Sequence, residues 1–157
     1  MATVESRLKN LGLTLSTPPK PVASYVPYTI SGNQVFVSGQ VPVSDGALKY
    51  VGKLGADFSV EVGQAAAQLC AINILSVLKE ACGGDLERVV RVLKVNVFVN
   101  ATPDYDKQPE VANGASDLFV AVFGDAGRHA RAAVGMGSLP RGVAVEVDAV
   151  FEISDIE

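Results

Sequence analysis

Arg131 stands in the run Ala130-Arg131-Ala132-Ala133-Val134, a charge in an otherwise small and apolar strand, and Glu146 stands between Val145 and Val147 in the strand that follows. A guanidinium keeps its proton at any physiological pH, and its planar fork matches a carboxylate through two parallel hydrogen bonds. An arginine in such surroundings therefore suggests a pocket for an anionic ligand. The same two charges equally describe a structural ion pair between Arg131 and Glu146, and spacing alone does not separate the two readings.

Other chemistry is scarce. The chain has one histidine, His129, at the entrance of the arginine-bearing strand, where its ordinary pKa would permit proton shuttling. Cys70 and Cys82 lie twelve positions apart on one expected helix, about 18 Å along its axis, too far for a disulfide. Both read as packed thiols. With no Cys-x-x-Cys and a single histidine, the sequence offers no dedicated metal site and implies no cofactor.

The elements that must position these groups follow from periodicity. Residues 3 to 12 suit a short helix, with Val4, Leu8 and Leu11 at helical spacing before Gly12. Pro18, Pro19, Pro21 and Pro27 then impose an extended connection, giving an arm over residues 1–20 and one domain over 21–157. That arm is expected to lie over the domain or a neighbour. Residues 28–30 and 34–38 flank Ser31-Gly32-Asn33, a hairpin turn. From Ser59 to Cys82 there is no proline, and Gly83-Gly84 follows, which predicts a long helix with a glycine stop. Its apolar face is expected to include Val62, Ala66, Leu69, Ile72, Leu75 or Ser76, and Lys79.

Residues 89–99 read as a buried strand and 104–123 as a second helix, with Pro103 and Pro109 disturbing its first turns. In the last strand Val143, Val145, Val147, Ala149, Phe151 and Ile153 alternate with Ala144, Glu146, Asp148, Val150 and Glu152, so one face is apolar and the other acidic. Arg131, Ala133, Gly135 and Gly137 share a face of the strand before it. The glycine-bounded turn at 137–142 can fold these two strands antiparallel, which would let Arg131 meet the acidic face. The sum is an α+β domain with two main helices on one side of a mixed sheet.

The 157 residues suit one domain. A hydrophobic content of 48% is high for so small a chain, and an oligomer that hides apolar surface would account for it. A net charge of -4 with scattered basic residues argues against nucleic acid as a partner. No run of 18 uncharged apolar residues occurs, and Glu5, Arg7 and Lys9 interrupt any signal-peptide core, so a cytoplasmic protein without a membrane partner is expected.

Over residues 21–153 the chain resembles the RidA/YjgF family of reactive-intermediate deaminases. The resemblance rests on Ser38-Gly39-Gln40-Val41-Pro42, on Lys94-Val95-Asn96-Val97-Phe98-Val99, and on Ala130-Arg131 followed by Leu139-Pro140 and Val145-Glu146-Val147. It implies a chorismate-mutase-like fold assembled as a homotrimer with ligand clefts between subunits. It also implies hydrolysis of imines and enamines of amino-acid metabolism to 2-keto acids and ammonia. Arg131 would then bind the substrate carboxylate, Glu146 would position water, and Tyr25, Gly39, Asn113 and Ala133 would line the ligand. Two departures stand out: Ala133 replaces a common cysteine, and His129 replaces a common proline. An arginine-dependent, non-catalytic trimeric binder or sensor of small carboxylates is the alternative, and endoribonuclease a remote one for so acidic a chain.

Imine hydrolysis adds water to a carbon that is already electrophilic and then expels ammonia. No protein nucleophile is required, so a bidentate arginine to orient the substrate and a carboxylate to move a proton could suffice. Each residue also has a plainer use: Tyr25 in interface packing, Asn113 as a surface or interface hydrogen-bonding group, Ser38 in closing its strand.

Overall fold

In the computed structural model, residues 2–18, 20 and 23–155 are described; Pro19 and Pro21, and with them the expected boundary between arm and domain, lie outside that set. Helix α1 (Val4–Asn10) starts at Thr3, whose hydroxyl caps the Ser6 amide, and it buries Val4 and Leu8. Leu11, expected on the same face, follows the helix and is exposed. Far from lying loose, α1 shares the core of its own chain: Arg7 Nη1 donates to the Val122 carbonyl at 3.0 Å and Lys79 Nζ meets Glu5 at 2.9 Å.

Strands β1 (Tyr28–Ser31) and β2 (Gln34–Gln40) form the expected hairpin around Gly32-Asn33, with Gly32 at φ 60° as the first central residue of the turn. A small second hairpin, β3 (Val43–Ser44) with β4 (Ala47–Leu48), turns at Asp45-Gly46, both at positive φ. Helix α2 (Val60–Ala81) runs between a Ser59 cap on the Val62 amide and Gly83-Gly84, at φ 67° and 96°. It has the length and apolarity of a membrane span, but half of its most apolar stretch is buried inside this fold.

The buried stripe of α2 differs from the expected one. It comprises Gly63, Ala66, Ala67, Cys70, Ala71 and Ile74 to Leu78, while Val62, Leu69, Ile72 and Lys79 are only partly covered. The reason is the second long helix, α3 (Gln108–Phe123), which packs so closely that small residues of α2 must face it. A Cβ on Gly114 would overlap the Gln64 carbonyl, and one on Gly63 would meet Leu54 and Val111. Helix α3 begins at Gln108, later than periodicity suggested, because Pro109 fits only a first turn.

Strands β5 (Val89–Asn100), β6 (Ala130–Met136) and β7 (Val145–Ile153) complete a mixed five-stranded sheet in the order β1-β2-β7-β5-β6. Both long helices cover one face, burying Val92, Val95, Val97 and Val99 with Val145, Val147, Ala149, Phe151 and Ile153. This is the expected α+β architecture, with two main helices on one side of a mixed sheet.

The β6–β7 hairpin does not form. β6 runs parallel to β5 through the α3 crossover, whereas β7 enters between β2 and β5, antiparallel to both. A strand-helix-strand crossover places its second strand beside the first and parallel to it, and this longer-range constraint overrides the turn chemistry at 137–142. Arg141, at φ 61°, and Gly142, at 73°, instead reverse the chain across the end of β5.

Candidate functional site

The sheet order separates Arg131 from Glu146. Arg131 is level with Val95 of β5 and Glu146 with Phe98, on opposite sides of that strand. Two strand spacings and three residues of offset put their Cα atoms on the order of 14 Å apart. They also face different ways. Arg131 lies on the helix side, level with buried Val95, while Glu146 points to the uncovered face with Asp148 and Glu152. The intrachain ion pair that the sequence allowed is therefore absent.

Arg131 is half-buried at the β6 edge, under α3. Its Nη1 donates to Asn113 Oδ1 at 2.8 Å and to Ser116 Oγ at 3.2 Å. Asn113 and Ser116 are three residues apart, hence neighbours on one face of the helix. Both acceptors are neutral. Among the described residues no carboxylate lies within ion-pair distance of the guanidinium, and its Nε and Nη2 have no hydrogen-bond partner. Ala133, two residues on and level with Val97, lies on the same face.

His129 extends this cluster. Its Nδ1 is 2.6 Å from the Gly127 carbonyl, its Nε2 is 2.8 Å from Ser116 Oγ, and its ring meets Phe119 edge-on. Burial pulls the imidazole below its ordinary pKa; the Gly127 carbonyl works against this and the Arg131 charge reinforces it. Ser116 went unnoticed in the sequence, although its i+3 spacing from Asn113 is a signal that would have found it.

Glu146 belongs to a second cluster. The β2–β7 register slips between Val37 and Gln40, a bulge that presses Gly39 against the Glu146 side chain. A Cβ on Gly39 would overlap Glu146 Oε1. Burial, with the Asp148 charge adding to it, raises the Glu146 carboxyl above its ordinary range, while Asp148 accepts from Asn96 Nδ2 at 2.7 Å. Tyr25 is exposed, on the segment that continues β1 alongside Gly39. The next residue supplies a carbonyl to Ser38 Oγ at 2.6 Å, so Ser38 ties that segment to β2.

Neither thiol is poised for chemistry. Cys70 and Cys82 are buried and unpaired; burial raises both, Cys82 to about 11. No group of three His, Cys, Asp or Glu residues among those described could hold a metal ion.

One chain thus carries two separate clusters: Arg131 with Asn113, Ser116 and His129, and Ala133 on the same face, at one sheet edge, and Glu146 with Gly39 toward the other. A model of the family described as YjgF/chorismate mutase-like, putative endoribonuclease, matches residues 5–148. The chain belongs to this family. It is 50% identical over 153 residues to Protein TCP17 of Trypanosoma cruzi, spanning 97% of this chain and 95% of that protein. Among solved structures, protein Atu1372 of Agrobacterium tumefaciens, whose function is unknown, is 50% identical with a TM-score of 0.91, covering 96% of this chain and 92% of its own. The YjgF gene product of E. coli is 27% identical with a TM-score of 0.63, covering 87% and 93%. The chain is thus far more similar to Atu1372 than to the E. coli protein.

Proposed function

We propose that this YjgF-family chain hydrolyses imines and enamines of small amino acids to 2-keto acids and ammonia, in sites completed by a neighbouring copy within a homotrimer. One observation carries the reading: a half-buried guanidinium is oriented by two neutral acceptors, has no carboxylate partner among the described residues, and presents its Nε–Nη2 edge unpaired. That edge matches a substrate carboxylate in two parallel bonds. Glu146 supplies a carboxyl whose raised pKa suits proton exchange with water.

In this reading, Arg131 of one subunit fixes the carboxylate beside Asn113 and Ala133, while Glu146 of the next subunit directs water at the imine carbon. Water adds to the C=N bond and the nitrogen takes a proton. The tetrahedral amine then expels ammonia as the C=O bond forms. Gly39 leaves room beside Glu146, and the exposed Tyr25 covers the ligand. The uncovered sheet face, with Phe36 and Val134 exposed on it, is the surface that copies would bury.

Ala133 in place of a thiol favours a second reading, a carboxylate binder without turnover. Endoribonuclease chemistry finds little here, since the one histidine faces a serine and a backbone carbonyl. The deciding assay follows ammonia and 2-keto acid from imino acids generated in situ by an amino-acid oxidase. Acceleration above the spontaneous rate is expected, whereas saturable binding of 2-ketobutyrate without acceleration would establish the binder.

A further inference from the structure

We propose that His129 is a positioning residue for Arg131, acting through the hydroxyl of Ser116. The proposal rests on the reading of Arg131 as the carboxylate anchor and adds what holds that anchor in place. The direction of each hydrogen bond follows from donor and acceptor chemistry. The Gly127 carbonyl only accepts, so the proton of neutral His129 resides on Nδ1, 2.6 Å away. Nε2 is then a bare acceptor, and at 2.8 Å it takes the Ser116 hydroxyl proton. With its hydrogen committed to the ring, Ser116 Oγ turns its lone pairs to Arg131 Nη1 at 3.2 Å.

Without the imidazole, that hydroxyl is free to rotate toward the helix backbone, as serines within helices do, and Nη1 loses one of its two acceptors. The ring itself is fixed by Phe119, edge-on with centroids 6.0 Å apart. A chain of fixed polarity therefore runs from the Gly127 backbone to the guanidinium. Its effect is to leave the Nε–Nη2 edge facing outward for a carboxylate.

The charged group acting on the ring is Arg131 of β6, which with burial favours the neutral form that the relay needs. Behind the ring, Arg128 sits 3.8 Å from Asp125 and its carbonyl accepts from Arg91 of β5 at 3.2 Å. From α3 the ring meets Ser116 and Phe119. No described carboxylate offers His129 a partner that would favour the cation.

The chain's single histidine makes the test direct. Long-range proton–nitrogen NMR of the intact wild-type protein reports the His129 tautomer without assignment ambiguity. The Nδ1–H form is expected, with a titration midpoint below that of an exposed histidine, and the Arg131 Nε–H resonance should shift with the same midpoint. An Nε2–H tautomer, or an Arg131 signal indifferent to His129 protonation, would overturn the proposal. This readout needs no ligand, so absent imine hydrolysis would count against the deaminase reading alone.

In the second arm, Ser116→Ala and His129→Phe should each weaken 2-ketobutyrate binding by about tenfold, as loss of a hydrogen bond to a charged group does. The double variant should be no weaker than either, since both remove one relay. Losses that multiply in the double variant, or unchanged binding in both singles, would contradict it.

Discussion

Glu146 is a carboxylate kept where its charge is unwelcome. Burial and Asp148 raise its pKa in the folded chain, so the folded state holds the proton to higher pH than the unfolded chain does. Linkage then gives the sign: its contribution to stability is fully present below the unfolded value near 4.5 and is lost as pH rises through the folded one. Glu146→Gln should therefore raise Tm at pH 7 and leave it nearly unchanged at pH 4, while abolishing imine hydrolysis. Thermal scans at the two pH values, with ammonia release on the same samples, check both halves. Equal Tm values at pH 7 would show that the raised carboxyl has no energetic consequence. Such a charge, uncomfortable in the free chain, is expected where catalysis needs a proton acceptor near neutrality.

The helices set the geometry around Arg131. Because α3 lies against α2 at Gly114 and Gln64, a methyl group there must push the helices apart or shift the backbone. Gly114→Ala should destabilise the fold by about 1–3 kcal/mol, as overpacking does, measurable by urea unfolding. It should also weaken carboxylate binding, since the next-door Asn113 would move with the helix. At this scale much was legible in the sequence: the proline-free run from Ser59, the Gly83-Gly84 stop and the alternation of β7 are local signals, and each marks its element closely. The buried stripe of α2 was not legible, because that helix is apolar nearly all round and its orientation is decided by small residues meeting α3. The β6–β7 pairing misled for a related reason. A glycine-bounded turn is visible locally, while the crossover that places β6 beside β5 depends on how α3 packs.

For the whole molecule, the residue types of the site were readable and their grouping was not. Arg131 and Asn113 come together with Ala133 on the same face, and Glu146 meets Gly39, but the two groups diverge within one chain, and Tyr25 is exposed on the segment before β1. A sequence carries no mark of which residues act across copies. If the site lies between subunits, Arg131→Ala and Glu146→Gln should each be inactive alone yet complement when co-assembled. Random mixing of the two in equal amounts leaves about one quarter of interfaces with both intact residues, so roughly that share of wild-type activity should return. A mixture that stays inactive, with mixed assembly shown by mass, would place the whole site within one chain. Light scattering of the wild type should give three times 16.3 kDa.

On the proposed function, Arg131 captures the substrate carboxylate through its unpaired edge. The most direct test compares ammonia release from oxidase-generated imino acids by wild type, Arg131→Ala and Arg131→Lys. Loss of acceleration in both variants is predicted, since lysine keeps the charge but not the planar fork, with the assembly unchanged in size. Full activity in Arg131→Ala would show that the substrate carboxylate is held elsewhere.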